Sequence, residues 1–498
     1  MSRKTRPWLF YDTTQSVCST CLHPVEAKIL IKDGQVFMDK WCPAHGTQRV
    51  LMSEDAEWYR LCREVYVKAP EMPERFATPM RHGCPYDCGL CPDHMQHSCL
   101  SLIEITDHCN LRCPTCYAGS GPERLTHRPL AEVLKMLDAV VASEGQADVV
   151  QISGGEPTLH PQFFEILAAA RERPIRHLML NTNGLRIAQE PGFAERLAEQ
   201  GPGFEVYLQF DSLRREPLMD LRGADLRRIR EQALARLNAL EISTTLVMTV
   251  KAGVNDDEIG EVIRFAASQP CVRGVTLQPV QAAGRTEGWD PARHRLTVSG
   301  IRRRIIEQSG VFSAQDVLPV PCNPDTLAMA YALRTPQGLQ PLTRYVDPAT
   351  LIGGAANTIV YEHDPALREH FLRLFSTGQS PQGQANCLSE LMCCLPQIEA
   401  PASLGYRDVF RVLIVQFMDA DGLDIRALKK SCIHIAQADG RMIPFESWNL
   451  FYRDGESGLL ADIRAGIDAA TARRQPAAAG ANGGLSPVRG PTTRAPAP

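Results

Sequence analysis

Three closely spaced cysteines form the most reactive pattern in the chain. Cys109, Cys113 and Cys116 lie within the stretch Cys-Asn-Leu-Arg-Cys-Pro-Thr-Cys, directly after a predicted strand. Three thiolates can hold an iron–sulfur cubane while leaving one iron without a protein ligand, whereas a fourth thiolate would close the cluster for electron transfer alone. The spacing therefore indicates chemistry on a chelating molecule at the open iron. Structural zinc is the alternative, because short cysteine clusters also bind zinc.

A second set with the same spacing lies upstream. It consists of Cys84, Cys88 and Cys91, and Cys99 follows eight residues later. No predicted strand leads into this set, and Cys99 would close the site as a fourth ligand. We interpret these four cysteines as the ligands of an auxiliary [4Fe–4S] cluster, with structural zinc as the alternative.

The N-terminal region contains a paired-knuckle pattern. Cys18 and Cys21 are separated by two residues, and Cys42 and His45 follow after a β-rich stretch. This arrangement is typical of a zinc ribbon or a rubredoxin-like site, so we expect one zinc or iron ion on these four residues. In the alternative interpretation, His45 is an ordinary surface histidine.

Five cysteines towards the C-terminus could supply a third cluster, and the sequence leaves the choice of ligands open. They are Cys322, Cys387, Cys393, Cys394 and Cys432. The cysteines together predict one reactive cluster, one or two auxiliary clusters and one mononuclear site.

The elements that would position the reactive cysteines are short β-rich runs separated by amphipathic stretches. Six such runs occur, at Leu100–Thr106, Val149–Ser153, His177–Asn181, Glu205–Phe210, Thr244–Val250 and Gly274–Pro279. Alternating strands and helices favour a parallel sheet with right-handed crossovers. The pattern predicts an α/β fold containing a partial (β/α)6 barrel, in which chemistry takes place at the C-terminal ends of the strands.

Polar and glycine motifs stand where these predicted strands end. They are Gly154, Gly155 and Glu156, then Asn181 and Asn183, then Gln209, Asp211 and Ser212, followed by Arg222. Taken singly, each could be an ordinary loop residue. Glycine permits a close approach of backbone to ligand, and the carboxylate of Glu156 offers a partner to an ammonium group. Because one motif follows each strand, we expect a ligand site around the barrel mouth.

The chain of 498 residues is long enough for several domains. We predict a zinc-ribbon or rubredoxin-like knuckle at 1–60, an auxiliary-cluster segment at 61–99, the barrel at 100–285, an α+β auxiliary-cluster domain at 286–460 and a disordered tail at 473–498. The tail is rich in Ala, Pro, Gly, Thr and Arg and has almost no large apolar residue, so burial would not offset the entropy of ordering it.

The charge distribution narrows the range of partners. The formal net charge is −4 and both signs are interspersed, which favours neither nucleic-acid binding nor a polybasic membrane anchor. No apolar run approaches the roughly 18 to 20 residues that span a bilayer, and the first residues lack the apolar core of a signal peptide. We therefore expect a cytoplasmic protein with reduced thiols and at most peripheral membrane contact.

The reactive cysteine motif and the Gly-Gly-Glu motif resemble the radical S-adenosylmethionine (SAM) superfamily. The resemblance implies a [4Fe–4S] cluster on Cys109, Cys113 and Cys116, with SAM bound to the open iron through its amino and carboxylate groups. It also implies reductive cleavage of SAM to a 5′-deoxyadenosyl radical that attacks a C–H bond. The electron donor would be a protein such as ferredoxin or flavodoxin.

The same resemblance implies roles for the strand-end residues. Gly154, Gly155 and Glu156 would bind the SAM amino group, and Arg222 would pair with its carboxylate. An aromatic residue after the last cysteine, here Tyr117, would pack near adenine; a core tyrosine is the alternative. The ribose would be held by polar groups among Asn181, Asn183, Gln209, Asp211 and Ser212.

A closer resemblance comes from the stretch Gly83 to Leu100, which leads directly into the reactive motif. It is similar to the archaeal tetraether lipid synthases and their bacterial relatives, and the N-terminal knuckle and the stretch from Cys432 to Tyr452 match that pattern too. Members have also been described as 7,8-dihydro-6-hydroxymethylpterin methyltransferases. The resemblance therefore implies either of two substrates, a lipid or a small molecule.

Three functions follow as alternatives. The lipid resemblance implies C–C bond formation between hydrocarbon chains. The second alternative is methyl or methylene transfer to a pterin-like molecule. The third is a non-enzymatic electron carrier or redox sensor, which predicts four-cysteine sites and is disfavoured by the three-cysteine set beside Gly154, Gly155 and Glu156.

Overall fold

The N-terminal region folds as a four-stranded antiparallel sheet. The computed structural model describes residues 6–66, 69, 71–345, 348, 408–453 and 458–474. The strands β1–β4 lie at Leu9–Val17, Pro24–Lys32, Gln35–Cys42 and Gly46–Ser53 and pair in that order. Alternate residues of β3, such as Val36 and Met38, are buried, as period-2 side-chain alternation requires. Helix α1, Ala56–Glu64, packs beside this sheet and is capped by the Asp55 carboxylate.

The central region alternates strands and helices as predicted. Its strands β5–β12 are Leu100–Glu104, Thr115–Cys116, Ala147–Ser153, Ile175–Thr182, Phe204–Gln209, Thr244–Val250, Val272–Pro279 and Arg285–Thr286. Helices α2–α8 are Leu130–Glu144, Phe163–Arg171, Leu185–Gln189, Phe193–Ala198, Arg215–Arg222, Arg227–Ala239 and Ile259–Ser268. Strands β5 and β7–β11 pair in parallel in chain order, so the predicted six-unit α/β barrel is confirmed.

The C-terminal region extends this sheet at both edges. Its strands β13–β18 are Leu318–Pro319, Leu327–Thr335, Gly338–Pro341, Val409–Val415, Ile433–Ala436 and Met442–Pro444. Strand β16 adds in parallel to β11, and β17 adds in parallel to β5. Strands β14 and β18 continue the two edges in antiparallel pairing. The C-terminal region therefore contributes barrel walls as well as the predicted separate α+β elements.

Helices α9–α13 complete the described chain. They lie at Pro291–His294, Val298–Ser309, Ile425–Leu428, Phe445–Ser447 and Gly458–Arg474, and one π-helical turn, Trp448–Tyr452, continues α12. Within the described residues, no helix is both long and apolar enough to cross a membrane. The proposed domain boundaries stay predictions. Cys387, Cys393, Cys394 and most of the predicted tail lie outside the described residues.

The main core is formed by the sheet and the helices that cover it. Strand residues such as Val150, Leu180, Val206 and Leu246 are fully buried against these helices. Nearly continuous burial along each strand is typical of parallel sheets covered on both faces. This packing holds the C-terminal strand ends, and the loops after them, in fixed relation to one another.

Candidate active site

A cavity of about 210 Å³ lies inside the barrel and opens towards the cysteine loop. Its lining includes eleven residues that the sequence predicted for cluster or cofactor binding: Cys109, Cys113, Cys116, Tyr117, Gly154, Gly155, Glu156, Asn181, Asn183, Gln209 and Arg222. These residues come from β5 to β9 and the loops and helices after them, so the fold converges them on one space.

The cysteine loop is held in place by a segment that returns from the end of the barrel. Strand β6 pairs with β12, so that Cys116 lies opposite Arg285. The Arg285 side chain donates from Nε to the Cys113 carbonyl at 2.6 Å and from Nη2 to the Ser120 carbonyl at 2.7 Å. These contacts tie the cysteine loop to the segment that follows the barrel strands.

The Gly-Gly motif packs directly against the start of the cysteine loop. The Gly155 N–H donates to the Thr106 carbonyl at 2.7 Å. A Cβ atom on Gly154 would lie 2.3 Å from the Thr106 carbonyl oxygen, and one on Gly155 would lie 2.2 Å from that of His108. Only glycine permits this approach, and Gly154 also has a φ of +127°. These glycines join the β7 loop to the cysteine loop.

Glu156 is buried and its carboxylate is satisfied by the chain. Oε1 accepts hydrogen bonds from the Thr158 hydroxyl at 2.6 Å and the Thr182 hydroxyl at 2.8 Å, and Oε2 accepts from the Asn183 N–H at 2.7 Å. Burial nevertheless raises the pKa of this carboxyl group. The side chain thus ties the Gly-Gly loop to the end of β8, and its role toward an ammonium group stays a prediction.

A continuous belt of hydrogen bonds crosses the strand ends; we call Ser153, Asn181, Gln209, Arg222 and Thr249 the polar belt. Asn181 donates to Ser153 Oγ at 3.2 Å and accepts from Gln209 at 2.9 Å. Arg222 donates to Gln209 at 3.0 Å and to Thr249 at 2.9 Å. Because each member orients the next, the cavity-facing amides have defined positions before any ligand binds.

Arg222 is held in the belt by Asp211. Nε donates to Oδ2 at 2.7 Å, and Nη2 donates to Oδ1 at 2.5 Å. Burial alone would raise the pKa of Asp211, but the Arg222 guanidinium outweighs it and the pKa lies below its usual range. Asp211 is fully buried behind Arg222, so it positions the arginine and does not itself border the cavity.

The prediction for Ser212 differs from the structure. Its hydroxyl is buried outside the cavity and donates to Glu258 at 2.5 Å. Ser212 follows Asp211, whose φ of +66° turns the chain away from the barrel mouth. The sequence predicted that Gln209, Asp211 and Ser212 would all face the ligand. In the structure only Gln209 borders the cavity.

Tyr117 borders the cavity from the cysteine loop. Its hydroxyl lies 3.3 Å from Ser153 Oγ, which connects it to the polar belt. Its ring centroid is 5.0 Å from that of Phe445, and the Arg453 guanidinium lies 5.3 Å from the Tyr117 ring centroid. This aromatic wall includes residues of the C-terminal region that the sequence did not identify.

Arg230 is a cavity-lining residue that sequence reasoning missed. It is buried on α7, and its Nη1 donates to the Asn183 carbonyl. Its Nε and Nη2 have no hydrogen-bond partner among the described residues, and Nη2 lies 3.9 Å from Asp211. Burial lowers the pKa of Arg230 to about 10, which leaves it charged at neutral pH. An arginine on the apolar face of α7, between Leu226 and Leu234, is the sequence signal that could have revealed it.

The floor of the cavity carries a buried charge pair. Arg411 of β16 donates from Nη2 to both Glu205 oxygens, at 2.6 and 2.8 Å. His177 Nε2 lies 3.1 Å from the same carboxylate. Burial alone would raise the pKa of Glu205, but Arg411 and His177 outweigh it and hold the pKa well below its usual range. This pair connects the fourth predicted strand, β9, to β16, a strand that the sequence did not place in the barrel.

The cysteine loop fits an iron–sulfur cluster with an open iron. All three thiols line the cavity, and the Leu111 N–H donates to Cys109 Sγ at 3.4 Å. Burial raises the pKa of Cys109 to about 12, so a metal would be needed to hold the thiolate form. The space next to the thiols is bordered by the Gly-Gly loop and the polar belt, which suits a chelating polar cofactor.

The N-terminal knuckle brings its four predicted ligands together. The sulfur atoms of Cys18, Cys21 and Cys42 and a ring nitrogen of His45 lie within 4.8 Å of one another. Cys21 Sγ and Cys42 Sγ are 3.9 Å apart, close to the spacing of about 3.8 Å that a tetrahedral zinc ion with bonds of about 2.3 Å imposes. The geometry suits a mononuclear ion.

The structure corrects the grouping of Cys99. It lies with Cys322 and Cys432, and the three sulfur atoms are within 4.8 Å of one another. The reason is register: Leu100 of β5 pairs with Ile433 of the neighbouring parallel strand β17, so the residues before them are adjacent. Cys99 therefore does not join Cys84, Cys88 and Cys91. It groups instead with Cys322 and Cys432, two of the five cysteines considered for a third cluster.

Two family profiles match separate parts of the chain. The radical SAM superfamily matches residues 103–266, which contain the cysteine loop, the Gly-Gly motif and the whole polar belt. The family described as the HMPTM N-terminal zinc ribbon domain matches residues 10–54, which contain the N-terminal knuckle. The predicted superfamily resemblance is confirmed, and the ribbon interpretation is supported.

The chain is similar along most of its length to 7,8-dihydro-6-hydroxymethylpterin dimethyltransferase of Methanocaldococcus jannaschii. The two are 29% identical over 493 residues, covering 88% of this chain and 94% of the relative. It is also 31% identical over 212 residues to GTP 3′,8-cyclase of Geobacter sulfurreducens, covering 41% of this chain and 60% of the cyclase. A solved radical SAM methyltransferase from Sphaerobacter thermophilus overlaps 60% of this chain and 73% of its own, with 13% identity and a TM-score of 0.31.

Proposed function

We propose that this chain, a radical SAM enzyme by its superfamily domain and its relatives, transfers a one-carbon unit to a carbon atom of a pterin-like ring. The observation that carries the proposal is the similarity to a pterin dimethyltransferase over 88% of the chain. Similarity to the GTP cyclase covers 41% of the chain. The dimethyltransferase matches the ribbon, the barrel and the C-terminal region together. It therefore supports a shared class of reaction better than the cyclase does.

Cys109, Cys113 and Cys116 would hold the [4Fe–4S] cluster, with SAM at the iron that lacks a protein ligand. Bound there, the cluster and SAM would supply a carbon radical that takes a hydrogen atom from the carbon to be modified and leaves as 5′-deoxyadenosine. The one-carbon unit would come from the methyl group of a second SAM, which would leave as S-adenosylhomocysteine, with two electrons from the external reductant. The chain positions the thiols through Arg285 and brings the Gly-Gly loop against them. The enclosing barrel walls limit access of water to the cavity.

We assign the SAM carboxylate to Arg230 in addition to the predicted Arg222. Two Arg222 nitrogens are already engaged by Asp211, Gln209 and Thr249. Arg230 borders the same cavity, and two of its buried nitrogen atoms have no hydrogen-bond partner among the described residues. A buried, charged guanidinium is stabilised by an anion, and a carboxylate matches its planar donor geometry.

The cavity lining is mostly apolar, and a few polar side chains in it could anchor a ring substrate. Gln278 of β11 donates to the Tyr207 hydroxyl at 3.1 Å, and its amide borders the cavity beyond the polar belt. Amide side chains pair with the N–H and carbonyl groups of a pterin ring, whereas Met179 and Leu413 offer apolar surface to its faces. A volume of about 210 Å³ is nearer to small-molecule sites of about 300 to 1,000 Å³ than to a tunnel for two lipid chains.

The test is an anaerobic incubation of reconstituted protein with dithionite, SAM carrying a deuterated methyl group, and 7,8-dihydro-6-hydroxymethylpterin. We expect 5′-deoxyadenosine and a pterin whose mass has increased by one or two one-carbon units. Gln278→Leu should weaken pterin binding about tenfold, the order of one lost buried hydrogen bond, while leaving 5′-deoxyadenosine formation without pterin unchanged. Cys113→Ala should abolish both products.

The hydrocarbon-coupling alternative is separated by a second readout. Lipid extracts of cells with and without the gene should show no difference in cross-linked chains if the pterin proposal is right. Cross-linked chains that depend on the gene, together with an unmodified pterin in the incubation, would overturn it.

A further inference from the structure

Cys84, Cys88 and Cys91 are left without their predicted fourth ligand, because Cys99 lies in a different group. The three cysteines border one small cavity in the loop before β5. The Asp87 carboxylate holds this loop by accepting N–H bonds from residues 81–83, including one from Gly83 at 2.8 Å. The arrangement is fixed, and among the described residues we look for a fourth ligand at the border of this cavity.

His94 borders the same cavity, three residues after Cys91. Its backbone N–H donates to the Cys91 carbonyl at 2.9 Å, which forms a tight turn from the last cysteine to the histidine. Only 6% of the His94 surface is exposed. Sequence and turn geometry thus place His94 at the same small cavity as the three cysteines.

The orientation of the His94 ring suits a metal ligand. Nε2 lies 2.8 Å from the Ser431 carbonyl oxygen, which can only accept, so Nε2 carries the proton. In the neutral ring the lone pair is therefore on Nδ1, and among the described residues Nδ1 makes no hydrogen bond. Histidines that bind metals usually donate their other N–H to a carbonyl or a carboxylate in this way.

We propose that His94 is the fourth ligand of an iron–sulfur cluster whose other ligands are Cys84, Cys88 and Cys91. An iron–sulfur cluster can be held by ligand atoms that do not all lie within 4.8 Å of one another. Within the described part of the chain, two groups have all their ligand atoms within 4.8 Å, and this set is not among them. A cubane separates its ligands more widely than a tetrahedral ion, because its irons lie between them.

A second histidine connects this site to the Cys99 group. His434 Nε2 lies 3.2 Å from His94 Nε2, and His434 follows Cys432 by two residues. His434 Nδ1 lies 3.2 Å from the Ser98 hydroxyl, next to Cys99. The two imidazoles thus lie next to each other between the two cysteine groups. Imidazole ligation makes a cluster easier to reduce than four thiolates do.

The experiment uses the full chain carrying Cys109→Ala, Cys113→Ala and Cys116→Ala, so that the barrel cluster does not contribute. After iron–sulfur reconstitution and reduction, pulsed EPR of the half-integer-spin cluster signal should show a strongly coupled nitrogen. Labelling the same protein with ¹⁵N-histidine should change that coupling, which identifies imidazole without any further substitution.

Variants then locate the histidine. His94→Cys should keep the iron content, lose the nitrogen coupling and shift the reduction potential to more negative values. His82→Gln is the matched control, because that ring lies on the same loop but faces Asp87 and Asp468. Absence of the coupling in the parent, or its persistence in His94→Cys, would overturn the proposal. Because no substrate is involved, the result is independent of the pterin proposal.

Discussion

The N-terminal ribbon and the cysteine loop of the barrel use the same ligand type for opposite purposes. In the ribbon, four ligand atoms lie within 4.8 Å of one another at the turns of an antiparallel sheet. In the barrel loop, the three thiols border a cavity of about 210 Å³ together with glycines and a polar belt. Both contain a Cys-x-x-Cys pair.

The comparison indicates that the residues around the cysteines, and not the cysteine spacing, decide whether a metal site has four protein ligands or leaves one position free. Cys42 and His45 complete the ribbon because β3 and β4 return to the first knuckle. The barrel loop has no returning fourth ligand among the described residues. The Gly-Gly loop packs against the cysteine loop instead, and it offers backbone there and no ligand side chain. A closed set stabilises the fold, whereas an open set leaves space for chemistry.

The largest expected effect comes from breaking the open site. Cys113→Ala should reduce 5′-deoxyadenosine formation by more than about a thousandfold, since loss of one of three thiolates removes the cluster, and each tenfold change corresponds to about 1.4 kcal/mol of barrier. The thermal midpoint of the protein before reconstitution should change little. Cys62→Ala is the control, because Cys62 is buried away from the cavity. A variant that keeps wild-type turnover would contradict the assignment.

Removing a ligand from the N-terminal ribbon should lower stability and leave cofactor cleavage nearly unchanged. Cys42→Ala should remove one metal ion per chain and destabilise the ribbon by several kcal/mol, as a structural ion contributes folding energy directly. Cofactor cleavage per folded molecule should stay within about twofold of wild type. Metal analysis, proteolysis of the ribbon and a 5′-deoxyadenosine assay check this. Loss of cleavage without loss of folding would mean that the ribbon takes part in the chemistry.

A third substitution tests the buried ion pair between Arg411 and Glu205 at the floor of the cavity. Arg411→Leu should destabilise the protein at neutral pH by about 3 to 5 kcal/mol, because the buried Glu205 carboxylate loses its main partner. The sign of the pH dependence should also change. In the wild type the pKa of Glu205 is depressed, so its contribution is present above the usual value of about 4.3 and is lost as pH falls through the folded pKa.

In Arg411→Leu, burial of Glu205 dominates, and the variant should regain stability as pH falls from neutral towards 5. Urea unfolding at several pH values measures this. Adding Glu205→Gln should recover much of the loss, and the exposed-pair variant Arg60→Leu should leave stability nearly unchanged. Equal pH profiles for wild type and Arg411→Leu would argue against the pair.

The smallest effect concerns affinity at the open site. Arg230→Gln should raise the Kd for SAM roughly tenfold, about 1.4 kcal/mol, through loss of a charge-assisted contact. Equilibrium dialysis with the reconstituted protein measures it. Arg236→Gln, on the same helix with its guanidinium on the Glu190 carbonyl, should leave the Kd unchanged. Equal Kd values for Arg230→Gln and Arg236→Gln would mean that Arg222 alone binds the SAM carboxylate.

Much of this architecture could be predicted from local sequence. The six strand runs were recognised within a few residues of β5 and β7–β11, because β-rich runs alternate with amphipathic helices. The ribbon ligands were also recognised, since their spacing encodes a paired knuckle. Strands β16 and β17 were not, because short strands far along the chain carry no signal for their neighbours.

The candidate metal ligands and the strand-end motifs at the barrel mouth could be predicted from the amino-acid sequence, because spacing and strand alternation are local properties. The tertiary structure alone decided which cysteines share a site, since the register of β5 against β17 moved Cys99 to Cys432. It also decided that Asp211 and Ser212 support the site from behind while Arg230 enters it. Contacts between residues distant in the chain depend on packing, which no local pattern specifies.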